Sequence, residues 1–551
     1  MKKMIKKTMA LSMALVSMLS VAACGGTTIG GTIDKEGFYR INVTYYSAGY
    51  GEEYMNDIIE KFNARASSGE YEFKVTGVPD NNISANMTSL MQQAQNSSSV
   101  VLPDLILVSE YNSNLSGKQG YLEELTSVYD TEVTSKASST GKMKIRDKFA
   151  NPEIVERYQD EEGKLYGLPM YGATVGIVYN KALFTEYGLE EPKTMKEYWD
   201  LLDDIKNLQR NVDGSVNNDI SALIYPTMAI DYFDYYVKAS WMQCLGFDAF
   251  SSLMNLEEIE TKVTEYEKYY KTIYANLQTF ATSAPGHDSY VSQADATTES
   301  LKINSTTISR HTDVWPAMGK QVALMTIAGD WARNESGSAL KDEDLGFFPF
   351  PLVCDVNTGK VIAKATPKSE VVNEAEYVKV KREDVDVSVI PASDANEEYI
   401  YFKRVNYSNI GKVDAVVPKA GKYPEYAKQF LAYLTSDEAI DIYMKKAGSW
   451  LPYQYTLSAE EMTAAGLCEF TKDCLTLGQY SVSSINRYKN KAVLYRILNF
   501  EGEAGNYYMN LFKYNTSADV LYDQVKTGIT TGLATLEEDI RLYEIAQGFI
   551  G

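Results

Sequence analysis

Five cysteines and two histidines are all the thiol and imidazole chemistry held by the 551 residues. Cys244, Cys354, Cys468 and Cys474 follow no zinc-ligand spacing, and His287 and His311 stand far from one another and from these cysteines. A metal cluster or a histidine-based hydrolase therefore has little material, and no metal or cofactor is expected. Cys468 and Cys474 are spaced for a local disulfide after export, with separate buried thiols as the equal alternative. Acidic residues number 74, so a pair of carboxylates can always be nominated, yet no motif singles one out. Tyrosine is the odd abundance, at 42 residues. Its flat apolar face and polar edge suit sugars or other polar organic ligands. Residues 211–219 (NVDGSVNND) gather oxygen donors around Gly214 as a calcium loop does. They lack the glutamate of the twelfth loop position and read as a polar turn.

Cys24 differs from the other four in what precedes it. Four lysines lead into an uncharged apolar run from Thr8 to Ala23. That run is shorter than the roughly 20 residues a spanning helix needs, so residues 1–23 read as a cleaved export signal. Val21-Ala22-Ala23 before Cys24 resembles the bacterial lipoprotein cleavage box. The resemblance implies cleavage before Cys24, diacylglycerol on its thiol and further acylation such as palmitate. One acyl chain anchors marginally, whereas several on one cysteine hold stably. Residues 24–37, with the run GGTTIGG from Gly25 to Gly31, then form a lipidated flexible tether.

The elements that would position any site follow from periodicity. A chain of this length exceeds one ordinary core, so two or more lobes are expected. Its formal charge of -21 repels nucleic acid and anionic lipid, which leaves the lipid as the means of membrane attachment. Tyr39 to Tyr45 alternates as a strand, and the following helix puts Met55, Ile58, Ile59 and Phe62 on one stripe. A strand at 71–78, a helix carrying Met87, Leu90, Met91 and Ala94, and the apolar run Leu105 to Val108 continue an α/β alternation. Thr194 and Glu197 form a capping box ahead of Met195, Tyr198, Trp199, Leu202 and Ile205. Residues 354–407 read as a polar surface insertion of short β-like runs. Helix is expected from Pro424, then from Ser436 to a stop at Gly448, and throughout the C-terminal fifth.

Ordered short motifs carry a wider resemblance: Pro103-Asp104-Leu105-Ile106, Gly120 to Leu125, Tyr166 to Pro169, Val178 to Phe184, Ala328-Gly329-Asp330-Trp331, Tyr426 to Leu431, and Leu451-Pro452. Together, behind the lipoprotein box, they are similar to extracellular solute-binding proteins of the carbohydrate type, the capture subunits of ABC importers. The resemblance implies two α/β lobes that grip a ligand in the cleft between them, joined by three crossings of the chain. By match, the crossings fall near residues 171–176, 408–415 and 448–452. Lobe one then holds 38–171 with 415–448, and lobe two 176–410 with 452–551. Gly172, Gly176, Gly411 and Gly448 suit places where backbone angles change on closure.

Ligands of open α/β sheets sit beyond the carboxyl ends of strands. That rule selects Tyr45, Tyr46 and Ser47 after the first strand, of which neighbouring tyrosines cannot both face the cleft. It also selects Ser109, Glu110 and Tyr111 after the third strand. The resemblance adds Tyr171, Asp330, Trp331 and Trp450. Aromatic faces would stack on sugar rings while carboxylates accept from hydroxyls, and Trp331→Ala is expected to cost binding without cost to the fold. Trp241 reads as a helix-packing side chain. The resemblance further implies a monomer that binds a carbohydrate, an oligosaccharide above all, without chemistry and delivers it to the transmembrane subunits of a permease. Two other classes remain: a surface glycosidase, with Glu110 and Asp330 as its carboxylates about 5–10 Å apart, and a binder of a peptide-like solute.

Overall fold

In the computed structural model the described residues are 33–97, 99–109, 111–208, 221–225, 232–281, 313–320, 323–408, 410, 413–485, 511 and 516–546. Cys24 and its leader, Glu110, Gly411, both histidines and the polar turn at 211–219 lie outside them. Two sheets organise the rest.

The first sheet orders five strands as Phe73–Pro79, Tyr39–Tyr45, Leu105–Ser109, Val413–Val416 and Leu168–Pro169. The first three run parallel, with Tyr39 beside Phe73 and Val43 beside Leu105. Val413–Val416 is antiparallel to Leu105–Ser109 on one side and to Leu168–Pro169 on the other. Parallel neighbours require crossovers, which the helices Glu53–Ser67 and Ile83–Asn96 supply. Met55, Ile58 and Phe62 of the expected stripe are buried while Ile59 is half-buried; Met87 and Met91 are buried and Leu90 and Ala94 partly so. The run Leu105 to Val108 is wholly buried, as two-sided packing demands.

The second sheet orders Leu345–Phe348, Val175–Asn180, Ala323–Gly329 and Ser221–Leu223. Its first two pairings are antiparallel and the last is parallel. The helix Met195–Leu208 packs on it, and its expected capping box is present, Glu197 N donating to Thr194 Oγ1 at 3.2 Å and Thr194 N to Glu197 Oε2 at 3.2 Å. Met195, Tyr198, Trp199, Leu202 and Ile205 are all buried. The helices Tyr232–Leu245, Glu267–Ala281 and Ala518–Ala546 complete this core. Trp241 sits there, its ring 4.4 Å from that of Tyr270. The molecule thus has two α/β lobes, each with its own sheet and core.

Residues 354–407 are more than surface. Ala365–Thr366, Tyr399–Lys403 and Tyr377–Lys381 form a three-stranded antiparallel sheet whose Val380, Ile400 and Phe402 join the second core. Alternation sends these apolar residues inward and Lys379, Lys381 and Tyr399 to the other face. The chain also stays with the first core past Pro452: Tyr453, Tyr455, Leu457, Met462 and Leu467 pack there. The helix Glu469–Tyr480 then places Phe470, Cys474 and Leu477 against Leu345 and Phe347 of the second sheet. The C-terminal region is not helical throughout, since Val482–Ser483 pairs in parallel with Val405–Asn406. Cys468 and Cys474 are unbonded, and Cys474 is buried.

Candidate functional site

Where the two lobes meet, three stretches of chain are tied together by side chains. The first is 170–175. Gly172 N donates to Trp450 O at 3.1 Å, and a Cβ at Gly172 would lie 2.3 Å from the Trp450 ring, so only glycine fits. Ala173 takes a left-handed φ of 55°, which costs a non-glycine residue on the order of 1 kcal/mol. Asn406 holds that conformation by accepting from Val175 N at 3.1 Å and donating to Ala173 O at 3.0 Å. Ser408 binds Ser484 through both its amide and its hydroxyl, each at 3.0 Å.

Asp330 is the hub of this seam. It is 1% exposed, at the end of Ala323–Gly329, and its Oδ2 accepts from Thr174 N at 2.9 Å and from Ser449 Oγ at 2.7 Å. Its own amide donates to Thr174 O at 3.0 Å. Burial pushes its carboxyl up to about 7, against the pull of Ser449 and of the Thr174, Trp331 and Trp450 amides. Tyr171 lies beside it in a tyrosine cluster. The Tyr171 hydroxyl donates to Tyr46 O at 2.8 Å and meets the Tyr54 hydroxyl, while its ring stacks on Tyr443 at 5.5 Å and tilts on Tyr50 at 4.8 Å.

The rim of the seam is aromatic on the side of the second lobe. Trp331 lies 6.0 Å from the Tyr232 ring and 6.3 Å from Tyr235, and Tyr235 lies 5.8 Å from Tyr407. Facing it is the loop after Tyr39–Tyr45. Asn81 Oδ1 shapes that loop by accepting from Ser47 N at 2.8 Å and Ala48 N at 2.9 Å. Gly49 touches the far side, its carbonyl accepting from Asn334 Nδ2 at 2.9 Å.

The ten residues selected from sequence therefore divide. Tyr46, Ser47, Tyr171, Asp330, Trp331 and Trp450 come together at the seam. Tyr45 does not: it is 1% exposed, packed edge-on against Tyr54. Ser109 ends its strand beside Val413, and Tyr111 is half-buried with its hydroxyl pushed up to about 12 by burial. Tyr171, Asp330 and Trp450 are committed to holding the crossings. Trp331 is only 6% exposed and belongs to the second core, so Trp331→Ala must cost packing as well as contact, contrary to the expectation of an undisturbed fold. Sequence reading missed Tyr232, Tyr235, Tyr407, Asn81 and Asn334 at the rim, and Thr174, Asn406 and Ser449 at the hub. The aromatic density of residues 232–236 was the one available signal among them.

The family described as bacterial extracellular solute-binding protein matches residues 57–465. Among solved structures, the GacH receptor of Streptomyces glaucescens, solved unliganded and with acarbose, is 14% identical with a TM-score of 0.50, covering 89% of this chain and 97% of that one. The sugar-binding protein MalE from Xanthomonas citri is 14% identical with a TM-score of 0.50, covering 93% of this chain and 100% of its own. At such identities the likeness establishes a shared fold. No curated protein shows significant sequence similarity to the chain.

Proposed function

The chain belongs to the family of bacterial extracellular solute-binding proteins, and from that premise we propose that it captures a carbohydrate between its lobes and hands it, unaltered, to an ABC permease. The observation that carries the carbohydrate reading is the aromatic rim of Trp331, Tyr232 and Tyr235 opposite the polar Ser47–Asn81 loop. Aromatic faces cover the apolar side of a sugar ring, and backbone and amide groups take its hydroxyls. The sugar-binding receptors of the same fold lend the reading further support. In this proposal Tyr46, Ser47 and Trp331 face the ligand at the seam, and the turn of Ser109, Glu110 and Tyr111 after the third strand adds a further contact from the first lobe. Tyr45, Tyr171, Asp330 and Trp450 build the frame behind them. In the same proposal lobe one comprises residues 38–171 with 415–448, extended to Leu467 by the side chains that pack on its core, and lobe two comprises 176–410 with the helix Ala518–Ala546. The helix Glu469–Tyr480 lies between them, with Leu475 in the first core and Phe470, Cys474 and Leu477 against the second sheet.

A thermal-shift screen against a panel of mono- and oligosaccharides tests the ligand class, since a ligand that binds only the folded state raises the melting temperature. A rise with at least one glycan is expected; none across the panel would remove the carbohydrate reading, and release of hydrolysis products would replace it with a glycosidase. With the glycan so found, Trp331→Leu is expected to weaken binding at least tenfold, about 1.4 kcal/mol, in calorimetry. Leucine keeps apolar bulk in the core and removes the aromatic face. Affinity equal to wild type would take Trp331 out of the site.

The family places the protein outside the cytoplasm, and we propose that acylated Cys24 keeps it at the membrane surface there as a monomer. Cys24→Ser is expected to release it from sedimented membranes into the soluble fraction. Retention in the pellet after a high-salt wash would contradict lipid anchoring.

A further inference from the structure

The loop of the first lobe that meets Trp331 also covers Asp330. Gly49, at φ +77°, lies so near Trp331 that a Cβ on it would be 2.7 Å from the Trp331 Cβ, and its carbonyl takes the Asn334 amide. The next residue, Tyr50, is almost fully buried beside Asp330, and burial above all raises its hydroxyl well above the usual range. Asp330 is faced from its other sides by Tyr443 of the helix Asp437–Ala447 and by Cys474 of the helix Glu469–Tyr480. Both are also raised, so all three titratable neighbours stay neutral through the physiological range. The remaining partners are the Ser449 hydroxyl and the amides of Thr174, Trp331 and Trp450. Arg333, the nearby cation, is turned to Asp342, its Nε 2.8 Å from Oδ2. Among the described residues, none of these groups facing Asp330 is cationic.

We propose that closing the cleft takes up one proton from solvent at Asp330: the shut seam seals the carboxyl under the Gly49–Tyr50 loop, and the open seam returns it to water as a carboxylate. A buried carboxyl with neutral neighbours favours its protonated form, and a hydrated one does not. The rise from 3.8 to about 7 in the shut seam has this sign. Proton linkage then makes the opening constant grow about tenfold per pH unit between the ordinary carboxylate range and about pH 7, and level off above. Mild acid holds the lobes together, and neutral or alkaline conditions loosen them. The inference rests on the closure part of the function proposed above and is independent of the ligand's chemistry.

The test uses the mature protein without ligand, reading acrylamide quenching of tryptophan fluorescence at about pH 5 and about pH 8. Trp199, Trp241, Trp315 and Trp450 are buried inside single lobes or behind the crossings, whereas Trp331 is covered by Gly49 of the opposite lobe. Wild type is expected to be quenched more at the higher pH, with the excess absent from Trp331→Phe. Asp330→Asn, neutral at both values, is expected to show low quenching at both. Ser449→Ala removes a hydrogen bond that lowers the Asp330 carboxyl, so its levelling-off moves to higher pH. Equal quenching of wild type at the two pH values would overturn the proposal, as would an Asp330→Asn response that follows wild type. Should Asp330→Asn fail to fold by circular dichroism, an unmoved Ser449→Ala curve overturns it instead. A glycan panel without a hit would remove the carbohydrate reading and leave this result standing.

Discussion

Lys148→Ala is expected to destabilise the fold by about 3–5 kcal/mol in urea unfolding, the cost of breaking a buried ion pair from one side. Lys148 is completely buried, and its ammonium spends all three protons inside the protein. Nζ donates to Thr134 O at 2.7 Å, to Thr435 O at 2.8 Å and to Asp437 Oδ1 at 2.6 Å. These acceptors come from two distant stretches of the first lobe, so one side chain fastens the strand Glu132–Thr134 to the turn that joins the helix Pro424–Leu434 to Asp437–Ala447. Alanine leaves both carbonyls and Asp437 Oδ1 without their donor, while Asp437 Oδ2 keeps the Lys136 amide. The double variant Lys148→Met with Asp437→Asn removes the charge from both sides and keeps the volume, so it should lose distinctly less than the alanine variant. Equal losses would show that packing, rather than the uncompensated charge, dominates at this position.

Lys148 also marks the boundary of what the sequence made legible. Both lobes were readable where a period repeats: the stripes of Glu53–Ser67 and Met195–Leu208, the wholly apolar Leu105 to Val108, and the stop of Asp437–Ala447 at Gly448, whose φ is +69°. Each of these is fixed within one or two turns of chain by its own residues. The alternation rule also separated two adjacent tyrosines, since Tyr45 points into the core and Tyr46 is half-buried at the seam. No period announces the partners of a hub. Asp330 meets Thr174 and Ser449, and Asn406 meets Ala173 and Val175, across separations of 119 to 233 residues. A polar residue that will be buried and satisfied by such partners looks, in sequence, like one awaiting a ligand. The resemblance brought Asp330 and Trp450 into the candidate site together with Trp331, and no local pattern told them apart, although the crossings occupy their polar or aromatic surface. The insertion misled for a related reason: its charges alternate with residues that a neighbouring core covers.

The same hub governs the second large effect. The stability of the whole protein against urea is expected to fall as pH rises from about 4 to about 7, with Asp330 contributing on the order of 4 kcal/mol. The sign follows from proton counting. The folded carboxyl holds its proton up to about pH 7 and the unfolded one only to about 3.8, so within that window the folded state binds more protons and loses stability as they leave. The contribution is complete below the unfolded value and gone above the folded one. Asp330→Asn keeps the shape and can accept from Thr174 and Ser449 through its carbonyl, so it should remove the Asp330 share of the slope. An unchanged slope in Asp330→Asn would mean that the carboxyl is not held neutral by burial. A drop in wild type smaller than the Asp330 carboxyl requires has a physical source in the seam itself. If the cleft opens as the proton leaves, Asp330 regains water without unfolding, and the native ensemble escapes part of the penalty. The shortfall against Asp330→Asn, set beside the quenching of Trp331 at the same pH, then measures the free energy of opening.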